Sequence, residues 1–236
     1  MNNLWHIIIS STPQIVGAGL AYTIPITIVS FALGLVMAVL TALIKISKNK
    51  NVLFFVLRQI AQFYVWLFRS TPLLVQLFIV YFGLPYLRLA VIAPDGIKLT
   101  PVVSGILTFS LNTGAYCSET VRGAILSIPK GQWEAAYSIG MTKTQVLRRI
   151  IFPQAARVSL PPLFNSFIGL VKDTSLAASI TIVEMFEVSQ QIAAQNYEPL
   201  VMYSLVAAFY AVICTILSSF QRYLEKRVSR YIAPVL

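Results

Sequence analysis

The sequence predicts an all-α integral membrane protein with five transmembrane helices. Hydrophobic residues make up 57% of the 236 residues and charged residues only 11%, whereas about 25% of the residues in soluble domains are charged. Residues 22–44 contain no charged side chain, and this stretch exceeds the roughly 20 residues that a helix needs to cross a bilayer. The composition therefore excludes a water-soluble fold.

The composition also argues against most enzyme chemistry. His6 is the only histidine, and the two cysteines, Cys117 and Cys214, lie in apolar stretches. These residues suggest neither a metal site nor a nucleophilic triad, so we expect no catalytic residue and no metal in this chain. The net charge of +10 fits the basic cytoplasmic loops of a membrane protein, and we expect no nucleic-acid partner.

Turn and cap residues divide the chain into segments. Residues 1–18 are predicted to be an N-terminal lead-in, residues 223–236 a basic cytoplasmic tail, and residues 181–193 a short amphipathic helix with Glu184, Glu187 and Gln191 on one side. Thr71 and Pro72 begin the second span, and Pro94-Asp95-Gly96 forms a turn before the third. The five predicted spans cover residues 22–44, 71–87, 99–121, 155–177 and 200–220.

The distribution of basic residues predicts the orientation in the membrane. With five spans and the N-terminus outside, 15 of the 18 Lys and Arg residues lie on the cytoplasmic side, as the positive-inside rule requires. A sixth span at residues 52–68 would place Arg58 inside the bilayer and divide the other basic residues 11 to 6. We therefore expect a cytoplasmic C-terminus. Residues 52–68 are predicted to be an interfacial helix with Arg58, Gln62 and Arg69 on one stripe.

The polar loop at residues 123–153 predicts two helices joined by a glycine turn. Gly140 suits the left-handed position that ends a helix, and Thr142 with Gln145 forms a capping box for the next one. A helix of two turns is not stable alone in water, so the first helix must pack on another surface. The spacing leaves open whether that surface belongs to this chain or to a separate subunit. Ala135 and Ala136 are small and lie beside the charged Glu134. This part of the helix therefore offers a surface that another element can approach closely.

This loop resembles the signature of the membrane subunits of type I ABC importers. That signature reads Glu-Ala-Ala, three residues, Gly, nine residues, then Ile-x-Leu-Pro. The matching residues here are Glu134, Ala135, Ala136, Gly140, Ile150 and Pro153, with Phe152 in place of leucine. Three further segments resemble the polar amino acid uptake branch, which includes histidine, glutamine, arginine and cystine permeases: RSTPLLVQL at 69–77, NTGAYCSETVRGAI at 112–125 and LVKDTSLAASI at 170–180.

The resemblance covers residues 19–222 and implies a permease subunit of an amino acid importer in a bacterial cell membrane. Its partners would be a dimer of cytoplasmic ATPase subunits holding ATP and Mg²⁺, a second permease subunit (itself or a homologue) and an external solute-binding protein. The chain has no GxxxxGK[ST] phosphate loop of its own. The loop would act as a coupling helix, contacting the ATPase through Glu134, Ala135, Ala136, Gly140 and Met141.

Polar residues inside the spans are the candidates for a substrate pathway. These candidates are Gln76, Thr108, Asn112, Tyr116 and Asn165. Gln76 and Asn165 could instead serve packing, Asn112 could hydrogen-bond a neighbouring helix, and Glu119 is in reach of an ion pair with Arg122.

Lys172 and Asp173 are adjacent and therefore about 100° apart on a helix, so they cannot both face one lumen. We expect them at an outer gate or a binding-protein contact. The few charges of the pathway suit a polar or neutral amino acid, with cystine and glutamine as candidates. An ion-driven carrier or channel is the alternative function, but the buried charge relay or inverted repeat expected of it is not evident.

Overall fold

The computed structural model describes residues 2–47, 49–87 and 96–229, and every regular element within those ranges is helical. This agrees with the predicted all-α fold. Lys48, Arg88, the turn residues Pro94 and Asp95, and the tail after residue 229 lie outside the described residues.

The chain begins with one continuous helical stretch. Helix α1 (Asn2–Ala18) passes through a π-helical turn (Gly19–Thr23) into α2 (Ile24–Ile46). At 1.5 Å per residue, the 43 residues from Leu4 to Ile46 measure about 65 Å, which is twice the thickness of a bilayer core. Residues 2–18 of the predicted lead-in are thus part of a long helix.

The predicted second span, residues 71–87, is a short helical stretch in the structure. Helix α3 (Val52–Ser70) is followed by an extended break at Thr71 and Pro72. Helix α4 (Leu73–Phe78) then continues through a π-helical and a 3₁₀ turn to Tyr86. The fourteen residues from Leu73 to Tyr86 measure only about 21 Å, shorter than a bilayer core.

The other elements follow the predicted order, with shifted bounds. They are α5 (Pro101–Leu126), α6 (Lys130–Ser138), α7 (Lys143–Gln145), a π-helical turn (Val146–Ile151), α8 (Phe152–Asp173), a 3₁₀ segment (Thr174–Ile180), α9 (Met185–Asn196) and α10 (Pro199–Ser229). Helix α8 continues through Pro161 and Pro162.

By length and hydropathy alone, three of the described helices are long and apolar enough to cross a membrane. The number is four if two helices that meet at a bend of 51° are counted together as one span. They are Leu4–Ile46, Val52–Ser70 and Pro199–Arg227, with Lys143–Ile180 and Met185–Asn196 as the bent pair. Helix α3, predicted to be interfacial, is among them, whereas α5 is not. The number of spans and the orientation of the termini stay predictions.

Helices α2 and α5 form the most extensive contact within the described residues. Each presents small buried residues every fourth position: Ser30, Gly34, Ala38 and Ala42 on α2, and Ser110, Gly114 and Ser118 on α5. A Cβ atom on Gly34 would lie 2.9 Å from Cβ of Thr113 and 3.0 Å from the Ser110 carbonyl oxygen. The two backbones are therefore as close as small residues allow.

Buried apolar residues of the described chain form three clusters, two of which include residues of α2 and α5. The first cluster joins α1, α9 and α10, and includes Ile15, Met185 and Met202. The second joins α2 and α5 to α6 and α8, and includes Ala42, Ile125, Ala136, Ile151 and Ala155. The third includes Ile26, Leu77, Phe109 and Ile180.

Candidate functional site

The polar loop after α5 has the predicted helix, glycine turn and second helix. Gly140 adopts a φ of 79°, and the N–H groups of Gly140 and Met141 donate to the carbonyl oxygens of Tyr137 and Ala136 at 2.9 and 3.2 Å. This pair of bonds is a Schellman motif, which satisfies the last carbonyl groups of α6. The capping box of Thr142 and Gln145 is also present. Both predicted helix boundaries are confirmed.

Helix α6 packs on its own chain through one face and leaves the other exposed. Ala136 is buried within the second apolar cluster, so the expectation that it offers a free surface beside Ala135 is wrong. Neighbouring residues point about 100° apart on a helix, and only one alanine can face the core. The exposed residues of α6 and the turn after it are Lys130, Gly131, Gln132, Glu134, Ala135, Tyr137, Ser138, Ile139 and Gly140, with Met141 half-buried. The sequence prediction did not include Tyr137 and Ile139 in the exposed surface of this loop.

The break between α3 and α4 is held together by side-chain hydrogen bonds. Pro72 has no N–H group, so the carbonyl oxygen of Phe68 lacks its helical donor. Nε2 of Gln76 donates to that oxygen at 2.9 Å, and also to the carbonyl and hydroxyl oxygens of Thr71 at 3.0 and 2.9 Å. The Tyr116 hydroxyl donates to the Arg69 carbonyl oxygen at 3.4 Å. The exposed end of α3 is therefore capped by residues from α4 and α5.

Asn112 joins this network from α5. Its Nδ2 donates to Oε1 of Gln76 at 2.9 Å and lies 3.5 Å from the Phe68 carbonyl oxygen. Two predicted pathway residues, Gln76 and Asn112, are thus in direct contact. Their bonds correspond to the alternative raised from the sequence, in which the amide of Asn112 connects neighbouring helices.

Two clefts meet at Tyr116. The Asp173 cleft, of about 340 Å³, lies between α4, α5 and α8 and is lined by residues including Pro72, Asn112, Tyr116, Ser166, Gly169 and Asp173. The Arg69 cleft, of about 500 Å³, lies between α2, α3 and α5 and is lined by Lys45, Gln62, Val65, Trp66, Arg69, Ser70, Tyr116 and Glu119. The Arg69 cleft is nearer the end of α5 that leads into α6. Polar residues of α5 therefore line both clefts.

The remaining pathway candidates lie apart from the clefts. Thr108 is fully buried and donates to the Ser104 carbonyl oxygen at 2.8 Å, within its own helix. Asn165 is exposed, and its neighbour Ser166 lines the Asp173 cleft in its place. Lys172 is exposed outside the cleft that Asp173 lines, as their 100° separation predicts. The structure thus brings together Gln76, Asn112, Tyr116 and Asp173, but neither Thr108 nor Asn165.

Glu119 forms the predicted ion pair and a second one. Its Oε2 lies 2.9 Å from Nη2 of Arg122, and its Oε1 accepts a hydrogen bond from Lys45 of α2. The partner on α2 is 74 residues away in sequence, so no local spacing indicated it. The carboxylate connects the ends of α2 and α5 that face the α6 loop.

The sequence prediction also missed the role of Glu184. Its carboxylate accepts hydrogen bonds from the N–H groups of Phe186 and Glu187 at 2.9 and 2.8 Å, and from the Tyr210 hydroxyl at 2.8 Å. Glu184 is fully buried, whereas the sequence placed it on the polar side of the amphipathic helix. The residue precedes α9 as its N-cap, so its side chain turns back to the helix end. Because the same carboxylate accepts a hydrogen bond from Tyr210, it connects the start of α9 to α10.

The fold and the α6 loop agree with a known protein family. Residues 33–230 match the binding-protein-dependent transport system inner membrane component. The chain belongs to this family. It is an inner-membrane permease subunit in the amino acid ABC importer family and not an enzyme, because ATP hydrolysis is the task of a separate subunit. This replaces the alternative of an ion-driven carrier.

Individual relatives and solved structures are similar over most of the chain. The L-cystine transport system permease protein TcyB of Bacillus subtilis (strain 168) is 46% identical over 97% of this chain and 93% of its own length. A probable amino-acid ABC transporter permease protein, YckA, of the same organism is 40% identical over 95% of this chain and 93% of its own. A crystal structure of an amino acid ABC transporter with histidines aligns with a TM-score of 0.83 and 29% identity, covering 93% of this chain and 96% of the other.

The Gln76 network predicts a difference between two substitutions. Replacing Gln76 with leucine leaves the Phe68 carbonyl without its closest donor, so we expect a loss of about 1–3 kcal/mol in the free energy of unfolding. Asn112→Leu should cost less, about 0.6–1.7 kcal/mol, as is typical of interhelical bonds in membranes. The measurement is thermal and denaturant unfolding of both variants in one detergent.

The double variant is the control for this prediction. Because the two amides bond to each other, its loss should be smaller than the sum of the single losses. An Asn112→Leu protein with unchanged stability would contradict the network and assign Asn112 to the pathway alone, provided that uptake is lost.

Proposed function

We propose that this chain forms half of the translocation pathway of an ATP-driven amino acid importer and receives movement from the ATPase through α6. The observation that carries the proposal is the short helix α6, anchored on its own chain by Ala136 and exposed on its other face. The complete importer contains two such membrane subunits, identical or homologous, an ATPase dimer that binds ATP and Mg²⁺, and an external solute-binding protein. This composition rests on the family to which the chain belongs.

The packing of α6 supports its role in coupling. The apolar cluster that holds Ala136 also contains Val121 and Ile125 of α5 and Ala155 of α8. Close-packed interiors transmit displacement because side chains have no free volume to absorb it. Helices α5 and α8 also line the Asp173 cleft, so a displacement of α6 reaches the cleft through packed side chains. The contacts with the ATPase fall to the exposed residues Glu134, Ala135 and Tyr137, with Gly140 and Met141 at the following turn.

The coupling assignment is tested by reversing one charge. Glu134 is exposed and outside the apolar cluster, so Glu134→Lys should fold and insert normally. It should reduce ATPase association and uptake at least about tenfold, because a cation replaces an anion at a polar interface. Glu134→Gln is the matched control, because it keeps the shape of the side chain and loses only the charge. Its ATPase association and uptake should lie between those of the unmodified protein and of Glu134→Lys. Normal association and uptake in Glu134→Lys would overturn the assignment.

The Asp173 cleft is our proposal for the substrate pathway. Its volume of about 340 Å³ falls in the range of small-molecule sites. It combines the carboxylate of Asp173, the hydroxyl groups of Tyr116 and Ser166, and the amide of Asn112. A carboxylate attracts the ammonium group of an amino acid, and hydroxyl and amide groups hydrogen-bond its polar parts.

Filling this cleft should block transport without unfolding the protein. Gly169 lines the cleft, and a Cβ atom added there meets nothing within 4 Å. We therefore expect Gly169→Val to melt within a few degrees of the unmodified protein while uptake falls at least about tenfold, since a barrier increase of about 1.4 kcal/mol gives that factor. Gly123→Val is the matched control, because its Cβ atom is also unobstructed but the residue lies outside both clefts. Equal uptake in the two variants would exclude the cleft as the pathway.

We propose cystine as the substrate, with glutamine as the second candidate. The support is the 46% identity to a cystine permease and the 34% identity to a putative glutamine permease of Rickettsia bellii. The test is uptake of radiolabelled cystine by the reconstituted importer in the presence of excess unlabelled amino acids. Uptake of radiolabelled glutamine but not of radiolabelled cystine by the same preparation would reverse the order.

The proposed topology has five spans, an external N-terminus and a cytoplasmic C-terminus, with Lys172 and Asp173 towards the outer side. Lys98 lies just before α5, and Lys143 is the first residue of α7. Both are exposed. A cysteine at residue 98 should react with an impermeant thiol reagent in intact cells, and one at residue 143 only after permeabilisation. Labelling of both from outside would contradict the topology.

A further inference from the structure

The guanidinium group of Arg69, an exposed residue that lines the Arg69 cleft, has no carboxylate partner among the described residues. The ion pairs of the described chain use Lys45, Arg122 and Glu119. Glu119, the carboxylate that lines the Arg69 cleft, is thus already paired with two cations. The contact of Arg69 is instead with the ring of Tyr116, whose centroid lies 5.5 Å from its Cζ atom.

Arg69 is also not needed to cap α3. The last carbonyl groups of that helix accept hydrogen bonds from Thr71, Gln76 and Tyr116. A guanidinium group carries five N–H donors in a fixed planar fork that matches an oxyanion. These donors face a cleft of about 500 Å³, where a ligand can reach them.

Helix α3 has two exposed faces of opposite character. One is apolar and includes Val56, Ile60 and Phe63, which suits contact with lipid chains. The other carries Gln62 and Arg69 and lines the Arg69 cleft together with Tyr116 of α5. Tyr116 also lines the Asp173 cleft, so the face that carries Arg69 lies beside the same residue of α5 and is turned away from the apolar face.

We propose that the Arg69 cleft is a second binding site, in which Arg69 holds the carboxylate group of an amino acid that has passed Tyr116. The inference rests on the proposed function for the identity of the ligand. The carboxylate accepts N–H donors of Arg69, and the side chain of the ligand lies beside Trp66 and Tyr116, which border the same cleft. The charges of the two clefts complement the two ends of a zwitterion: Asp173 attracts its ammonium group, and Arg69 its carboxylate.

Thiol reactivity tests this site without requiring transport. A cysteine replaces Gln62, an exposed residue of the cleft, in the full chain assembled with its ATPase subunit in nanodiscs. The rates of reaction with an anionic and a cationic methanethiosulfonate reagent are measured at residue 62 by mass spectrometry. Glu119 of the cleft is paired with Lys45 and Arg122, so Arg69 supplies the excess positive charge. Arg69→Gln should therefore lower the ratio of the anionic to the cationic rate about tenfold, since an excess of one sign of charge in a cleft concentrates counter-ions by that order or more.

Two control variants separate the charge of Arg69 from general damage. Arg69→Lys keeps the positive charge and should retain most of the preference for the anionic reagent. Arg58→Gln removes the same charge from the same helix outside the cleft, where Arg58 donates to the backbone of Phe54 and Asn49, and should leave the ratio unchanged. A ratio that is the same in the Arg69→Gln and Arg58→Gln variants would overturn the site.

The ligand is identified by protection from the anionic reagent. Millimolar L-glutamine should slow the reaction in the protein with Arg69 and have no effect after Arg69→Gln, whereas L-glutaminamide, which lacks the carboxylate, should not protect. Protection by phosphatidylglycerol in the nanodisc, with no effect of L-glutamine, would assign the site to a lipid phosphate and overturn the carboxylate proposal. Uptake by the same preparation tests the proposed function separately. A failure of the Arg69 site is therefore distinguishable from a failure of the proposed function.

Discussion

The close approach of α2 and α5 is the constraint on which the rest of the structure depends. Gly34 and Gly114 lie where the two backbones nearly touch, and a Cβ atom on Gly114 would lie only 3.3 Å from the Gly34 carbonyl oxygen. In a bilayer, dispersion contacts drive helix association, since lipid tails are as apolar as leucine. Small residues maximise these contacts. The pair forms a rigid spine, and Lys45 and Glu119 join its two helices at the end facing the α6 loop.

Proline chemistry places the clefts beside this spine. Pro72 stops α3 and leaves a backbone carbonyl that must find a donor, because an unsatisfied polar group is costly in a membrane. Gln76 and Asn112 donate to this carbonyl group, and a hydrogen bond to the Arg69 carbonyl oxygen holds Tyr116 between the two clefts. Gln76 and Asn112, which are pathway candidates by their position in a span, therefore have a structural task, and Asn112 also lines the Asp173 cleft.

The two ends of the bundle are built for different tasks. At the α6 end, an apolar cluster packs a short helix, exposed on its other face, against α5 and α8. At the other end, the buried carboxylate of Glu184 caps α9 and binds Tyr210 of α10, which restrains α9 against α10. Between these ends lie Asp173 and Arg69, which give the two clefts opposite charges.

The sequence by itself determined the membrane class, the family, the order of the helices and the local caps. These features depend on apolar length, proline, glycine and hydroxyl residues within a few positions of one another, as at Gly140 and Thr142. Only the tertiary structure decided that Ala136 is buried and that α1 and α2 are continuous. It also decided that Gln76 bonds Asn112 across 36 residues. Side chains distant in sequence meet through packing, which local periodicity does not encode, so the clefts and their charges follow from the fold alone.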